Sequence, residues 1–139
     1  MHKLISRSEK ETKQLAAKFA KEFKAGVIAL SGQLGTGKTT FVQGFARGLG
    51  IKEKILSPTF VYIRQHQIPK TDNTLYHIDL YRLESEEEIK NLGLEEIMNN
   101  SNNTVIIEWA QKVKNILPNN TTWIYLETVN ENQRKIIVS

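Results

Sequence analysis

The stretch Gly32-Gln33-Leu34-Gly35-Thr36-Gly37-Lys38-Thr39-Thr40 sets a lysine and a hydroxyl directly behind a glycine-rich turn. That spacing suits phosphate chemistry. Glycines let successive backbone N–H groups turn inward around an anion, and a helix start adds unpaired donors and the positive end of its dipole. In this reading the backbone from Gly35 through Thr36, Gly37, Lys38, Thr39 and Thr40 cradles phosphate, Lys38 reaches the β/γ-phosphates, and the Thr39 hydroxyl ligates Mg²⁺. At ordinary residue frequencies the pattern arises by chance in on the order of 0.5% of chains this long. The chain is therefore expected to bind a nucleotide.

Such a loop supplies one metal ligand, and a carboxylate is needed opposite it, at the C-terminal end of a neighbouring strand. Glu108 closes the most apolar run in the chain, Thr104-Val105-Ile106-Ile107, and is expected on Mg²⁺. Asp79 closes the alternating run Thr74-Leu75-Tyr76-His77-Ile78 and is expected near the γ-phosphate or the attacking water. For each, the plainer alternative is a strand-end carboxylate capping a loop. Thr59, in Ser57-Pro58-Thr59, either senses the γ-phosphate or merely follows a proline that stiffens the entry into the next strand.

Those residues need elements to hold them. Ser8 and Glu11 form a capping-box pattern ahead of a helix whose stripe is Leu15, Ala16, Phe19, Ala20 and Phe23. Val27 to Leu30 reads as a buried strand. The helix opening near Lys38 buries Phe41, Val42, Phe45, Ala46 and Leu49, and its Gly44 and Gly48 point to close packing against a neighbour. Strands are expected at 60–66 and 74–79, joined by a turn at 69–73 as a hairpin. A short acidic helix covers 84–91, and Gly93 starts another turn through Leu94, Ile97 and Met98. The continuous apolar run before Glu108 marks a strand buried on both faces. Strands at 123–127 and 134–138 close a single α/β domain, residues 1–139, with a mixed sheet: a parallel core and antiparallel hairpins.

Composition removes other chemistries. The chain has 139 residues and no cysteine, which excludes disulfides, thiolate metal sites and cysteine nucleophiles. No apolar run is long enough to span a bilayer, so no membrane partner is expected and a cytoplasmic location is the default. The net charge of +4 is spread among interleaved lysines and glutamates, the mark of a solvated mixed surface rather than a nucleic-acid stripe.

Four segments together, Gly32 to Thr40, Ser57-Pro58-Thr59-Phe60, His77-Ile78-Asp79-Leu80-Tyr81-Arg82-Leu83 and Ile107-Glu108-Trp109, resemble the signatures of the TsaE (YjeE) family. The resemblance implies a P-loop NTPase-like three-layer sandwich and a small ATPase, slow by itself, using ATP/ADP and Mg²⁺. It implies action with the TsaB–TsaD heterodimer in threonylcarbamoyladenosine formation at position 37 of tRNA, touching tRNA indirectly through that complex. By the same resemblance Gly35 to Thr40 hold the phosphates, Thr39 and Glu108 hold the metal, Asp79 supports hydrolysis and Trp109 sits beside the nucleotide; the expected catalytic set is Asp79 with Lys38 and Thr59. Thr12 and Arg134 match positions associated with nucleotide contact. The family loop usually has an acid where Gln33 stands and an alanine where Thr36 stands, so no acid acts there in this chain.

Two other classes stay open. A small-molecule kinase needs an arginine-rich lid, and the five arginines Arg7, Arg47, Arg64, Arg82 and Arg134 are widely spaced. A nucleotide-gated binding module would hydrolyse little. The chain lacks the Asn-Lys-x-Asp with which GTPases read guanine, so adenine is favoured.

Overall fold

The computed structural model describes residues 2–55 and 63–139. Thr59 and the expected strand start at 60–62 therefore lie outside the described residues. The elements run β1 (His2–Ser6), α1 (Glu9–Glu22), β2 (Gly26–Ser31), α2 (Lys38–Gly48), β3 (Ile63–Gln67), β4 (Thr74–Asp79), α3 (Glu86–Lys90), α4 (Leu94–Asn99), β5 (Asn103–Glu108), β6 (Thr122–Thr128) and β7 (Arg134–Val138). A 3-10 segment, Ala110–Ile116, follows β5.

The strands form one sheet in the order β1-β7-β6-β2-β5-β4-β3. β2, β4, β5 and β6 pair in parallel, whereas β3–β4, β6–β7 and β1–β7 are antiparallel. Side chains alternate across a strand, so each strand feeds two cores. On one face Ile28, Leu30, Leu75, Ile106 and Ile124 pack under Ala16 and Ala20 of α1 and Phe41, Val42 and Phe45 of α2. On the other, Val27, Ala29, Val105 and Ile107 pack against Ile89 of α3, Leu94 of α4 and Val113. The expected α/β three-layer sandwich is present.

Helix α1 begins where its cap pattern says: the Ser8 hydroxyl accepts the Glu11 N–H at 3.0 Å. The Glu11 carboxylate turns to Arg7 instead, at 3.9 Å, across an exposed pair. Helices α1 and α2 touch backbone to backbone. A Cβ at Gly44 would lie 2.4 Å from the Lys13 carbonyl oxygen, and one at Gly48 2.4 Å from that of Ala17. Both glycines are there to let α2, which starts at the phosphate-type loop, lie flat on α1.

Two elements had no clear pattern in the sequence. β1 is exposed along four of its five residues and is fixed by pairing with β7. The 3-10 segment contains a break at Val113, where φ is −122°, and lacks any helical stripe.

Candidate functional site

The loop between β2 and α2 turns through Gly35 and Gly37, at φ of +82° and +98°, a region that residues with a Cβ adopt only at a cost. Gly37 is the N-cap of α2 and provides no side-chain cap, so the first amides of the helix keep their donors for a ligand. The Lys38 ammonium folds back onto the start of the loop, donating to the carbonyls of Gly32 at 2.7 Å and Gln33 at 2.8 Å. It also lies 4.3 Å from the centre of the Trp109 ring. Burial lowers the Lys38 pKa, while the negative charges of Glu108 and Asp79 oppose that shift.

Parallel pairing of β4 with β5 sets Asp79 opposite Glu108, both at C-terminal strand ends beside the loop. Glu108 is 3% exposed and accepts the Thr39 hydroxyl, whose oxygen is 3.1 Å from Oε1 and 3.3 Å from Oε2. His77, fully buried, holds Oε2 from the other side at 2.5 Å. Asp79 accepts the Tyr81 backbone N–H at 3.0 Å. Burial pushes the Asp79 pKa up, with the Glu108 charge adding to the shift. The Tyr81 N–H, His77 and Lys38 act against it.

Lys38, Thr39, Asp79, Tyr81 and Glu108 line a cleft of about 660 Å³, together with Thr12, Gly35, Gly37, Thr40, Trp109 and Arg134. Among the described residues, the structure thus gathers the expected ones from five separate parts of the chain. Thr36 is the exception: it is 4% exposed, and its hydroxyl donates inward to the Gln33 carbonyl at 2.9 Å. Thr12 is also tied, through its hydroxyl, to Ser6 at 2.6 Å. The Arg134 guanidinium braces the loop, donating to the carbonyls of Asn130 and Gln133 at 3.0 Å and lying 3.4 Å from that of Gly35.

Sequence reasoning missed four participants. Arg7 and Arg82 join Arg134 on the cleft wall, so three of the widely spaced arginines converge there. The third is His77, which looks like one more inward residue of an alternating strand. Its signal was its position two residues before Asp79, hence on the same face. Lys112, from the 3-10 segment, donates to the carbonyls of Leu80, Tyr81 and Leu83 at 3.0, 2.7 and 2.8 Å. It thereby holds the loop that carries Tyr81 and Arg82 into the cleft.

The donors suit a hard divalent cation held together with an anion. Four basic groups (Arg7, Lys38, Arg82, Arg134) and four acidic ones (Glu9, Asp79, Glu108, Glu131) face one space. Among the described residues, no three His, Cys, Asp or Glu side chains converge into a protein-only metal cage. Mg²⁺ commonly takes one or two protein oxygens, with water and phosphate supplying the rest, which the Thr39–Glu108 pair can provide.

Comparison with known proteins agrees with this geometry. The family model described as threonylcarbamoyl adenosine biosynthesis protein TsaE matches residues 6–136. The tRNA threonylcarbamoyladenosine biosynthesis protein TsaE of Rickettsia felis is 41% identical over 134 residues, covering 94% of this chain and 75% of that protein. Its counterpart in Treponema pallidum is 37% identical over 136 residues, covering 97% and 98%. The crystal structure of Bacillus subtilis YdiB superposes with a TM-score of 0.79 at 32% identity, covering 97% of this chain and 82% of that one. No helix among the described residues is long and apolar enough to cross a membrane. A match spanning nearly all of the sequence, with the loop, the paired strand-end acids and the sheet order in place, means that the chain belongs to the TsaE family.

Proposed function

We propose that the protein is a Mg²⁺-dependent ATPase that acts with the TsaB–TsaD heterodimer in forming threonylcarbamoyladenosine at position 37 of tRNA, in the cytoplasm. The observation that carries this is the Thr39 hydroxyl set 3.1 Å from the Glu108 carboxylate at the mouth of a glycine-lined loop. Bound there, magnesium would neutralise charge on the β- and γ-phosphates. Thr39 and Glu108 would hold it. The amides of the loop and of the first turn of α2 donate to phosphate oxygens, and Lys38 exchanges its two loop carbonyls for them. Asp79, close to Lys38 and Glu108, orients the attacking water. Its raised pKa suits a group that accepts a hydrogen bond or a proton there. Arg134 braces the loop against movement.

Each of these contacts positions a group or offsets charge, which is most of what phosphoryl transfer requires. Hydrolysis by the single chain is slow in this reading, and the partner pair accelerates it by completing the site.

Calorimetry with ATP at varied Mg²⁺ tests the proposal, alongside phosphate release with and without TsaB–TsaD. The parent protein should bind ATP in a Mg²⁺-dependent manner. Lys38→Ala should weaken binding or turnover at least tenfold, roughly one charge-assisted contact's worth. Glu108→Ala should flatten the magnesium dependence. Phosphate passed to a small acceptor would favour a kinase, and absence of any adenine-nucleotide affinity would overturn the reading.

A further inference from the structure

We propose that His77 is a positioning residue for the metal-binding carboxylate: its Nε2–H holds Glu108 with its carboxylate against the Thr39 hydroxyl. The inference rests on the magnesium–ATP reading above and adds a residue to it. In-register pairing of β4 and β5 sets His77 opposite Ile106 and Asp79 opposite Glu108, and side chains two apart on a strand share a face. The imidazole therefore lies on the face under α1 and α2, directly behind the Glu108 carboxylate, fully buried.

The protonation pattern follows from what each atom can do. An ionised carboxylate only accepts, so Nε2, at hydrogen-bond distance from Oε2, is the donor. Nδ1 is buried and has no partner among the described residues. With Oε2 held from behind, the carboxylate is set squarely against the Thr39 hydroxyl, 3.1 Å from Oε1 and 3.3 Å from Oε2. Without the histidine, a buried carboxylate near the Lys38 charge gains freedom to turn toward that ammonium and away from the metal position. A group that orients a metal ligand in this way typically governs metal affinity by about 10- to 100-fold.

The experiment is calorimetry of ADP binding over a series of Mg²⁺ concentrations, with melting temperature recorded for every variant. His77→Leu should raise the Mg²⁺ concentration needed for half-maximal ADP affinity about tenfold. His77→Gln, whose amide nitrogen reaches the place of Nε2, should restore most of it. His77→Asn, polar but too short, should not. A role confined to packing predicts lower melting temperatures with unaltered magnesium dependence, and that result would overturn the inference. If the parent protein itself shows no magnesium dependence, the underlying reading fails and this one falls with it. Nitrogen-15 NMR of the parent protein's His77 gives a readout without metal or substitution. It should show a protonated Nε2, and a bare Nε2 would also overturn the assignment.

Discussion

The two faces of the sheet are covered in different ways. One carries two long helices, α1 and α2, of 14 and 11 residues, pressed together through Gly44 and Gly48. The other carries helices of 5 and 6 residues and a broken 3-10 segment, joined by loops. The phosphate-type loop springs from the first face, whereas the segment with Tyr81 and Arg82 belongs to the second. The cleft lies where they meet. In the proposed reading, a site that holds an anion firmly and still admits and releases it is well served by one fixed wall and one held by a few tethers.

The largest break in that comparison is Gly44→Ala. Its Cβ would meet backbone, which cannot swing aside, so the cost should be about 2 kcal/mol even after the ~1 kcal/mol that alanine gains in a helix. Urea unfolding measures it, and an unchanged midpoint would show that the helices are not locked. Lys112→Met should cost about 1 kcal/mol, because three carbonyls lose one exposed ammonium that water partly replaces. Its mark is local: hydrogen exchange should quicken at 80–83 and stay slow in α1 and α2. Equal quickening on both faces would erase the distinction.

The smallest effect lies at the seam. Burial raises the Asp79 pKa above the ordinary carboxylate value near 3.8, so the folded chain holds that proton more tightly than the unfolded one. Stability is then lost as pH rises from the ordinary value through the raised one. Asp79→Asn should therefore be slightly more stable than the parent at pH 7, with the gain fading below the ordinary value, while ATP turnover falls. Melting curves at pH 3.5 and 7 check the sign.

The fixed wall was the more legible one in the sequence. A buried strand, a glycine turn and a helix with spaced phenylalanines announce themselves through local pattern, and the glycine pair correctly foretold a close approach. The place of Glu108, at the end of a central strand and beside the cleft, was legible because a continuous apolar run marks a strand buried on both faces. The tethered wall was not. Lys112 acts through backbone carbonyls some thirty residues earlier, and His77 acts through Glu108. Neither partnership leaves a trace in local spacing. β1 was missed because an exposed edge strand is specified by its neighbour, β7. Thr12 and Arg134 entered through resemblance alone, since nothing in their surroundings marks a ligand.

Trp109 adopts a left-handed backbone conformation, φ +61°, unusual for so large a side chain. The result is an indole parked over the Lys38 ammonium and beside Tyr81, with ring centres 5.0 Å apart. The protein thus carries a built-in optical probe. Any movement of the lysine changes the charge above the chromophore, so emission should report it without a dye. Replacing the second tryptophan, Trp123, by phenylalanine would leave that signal alone in the spectrum.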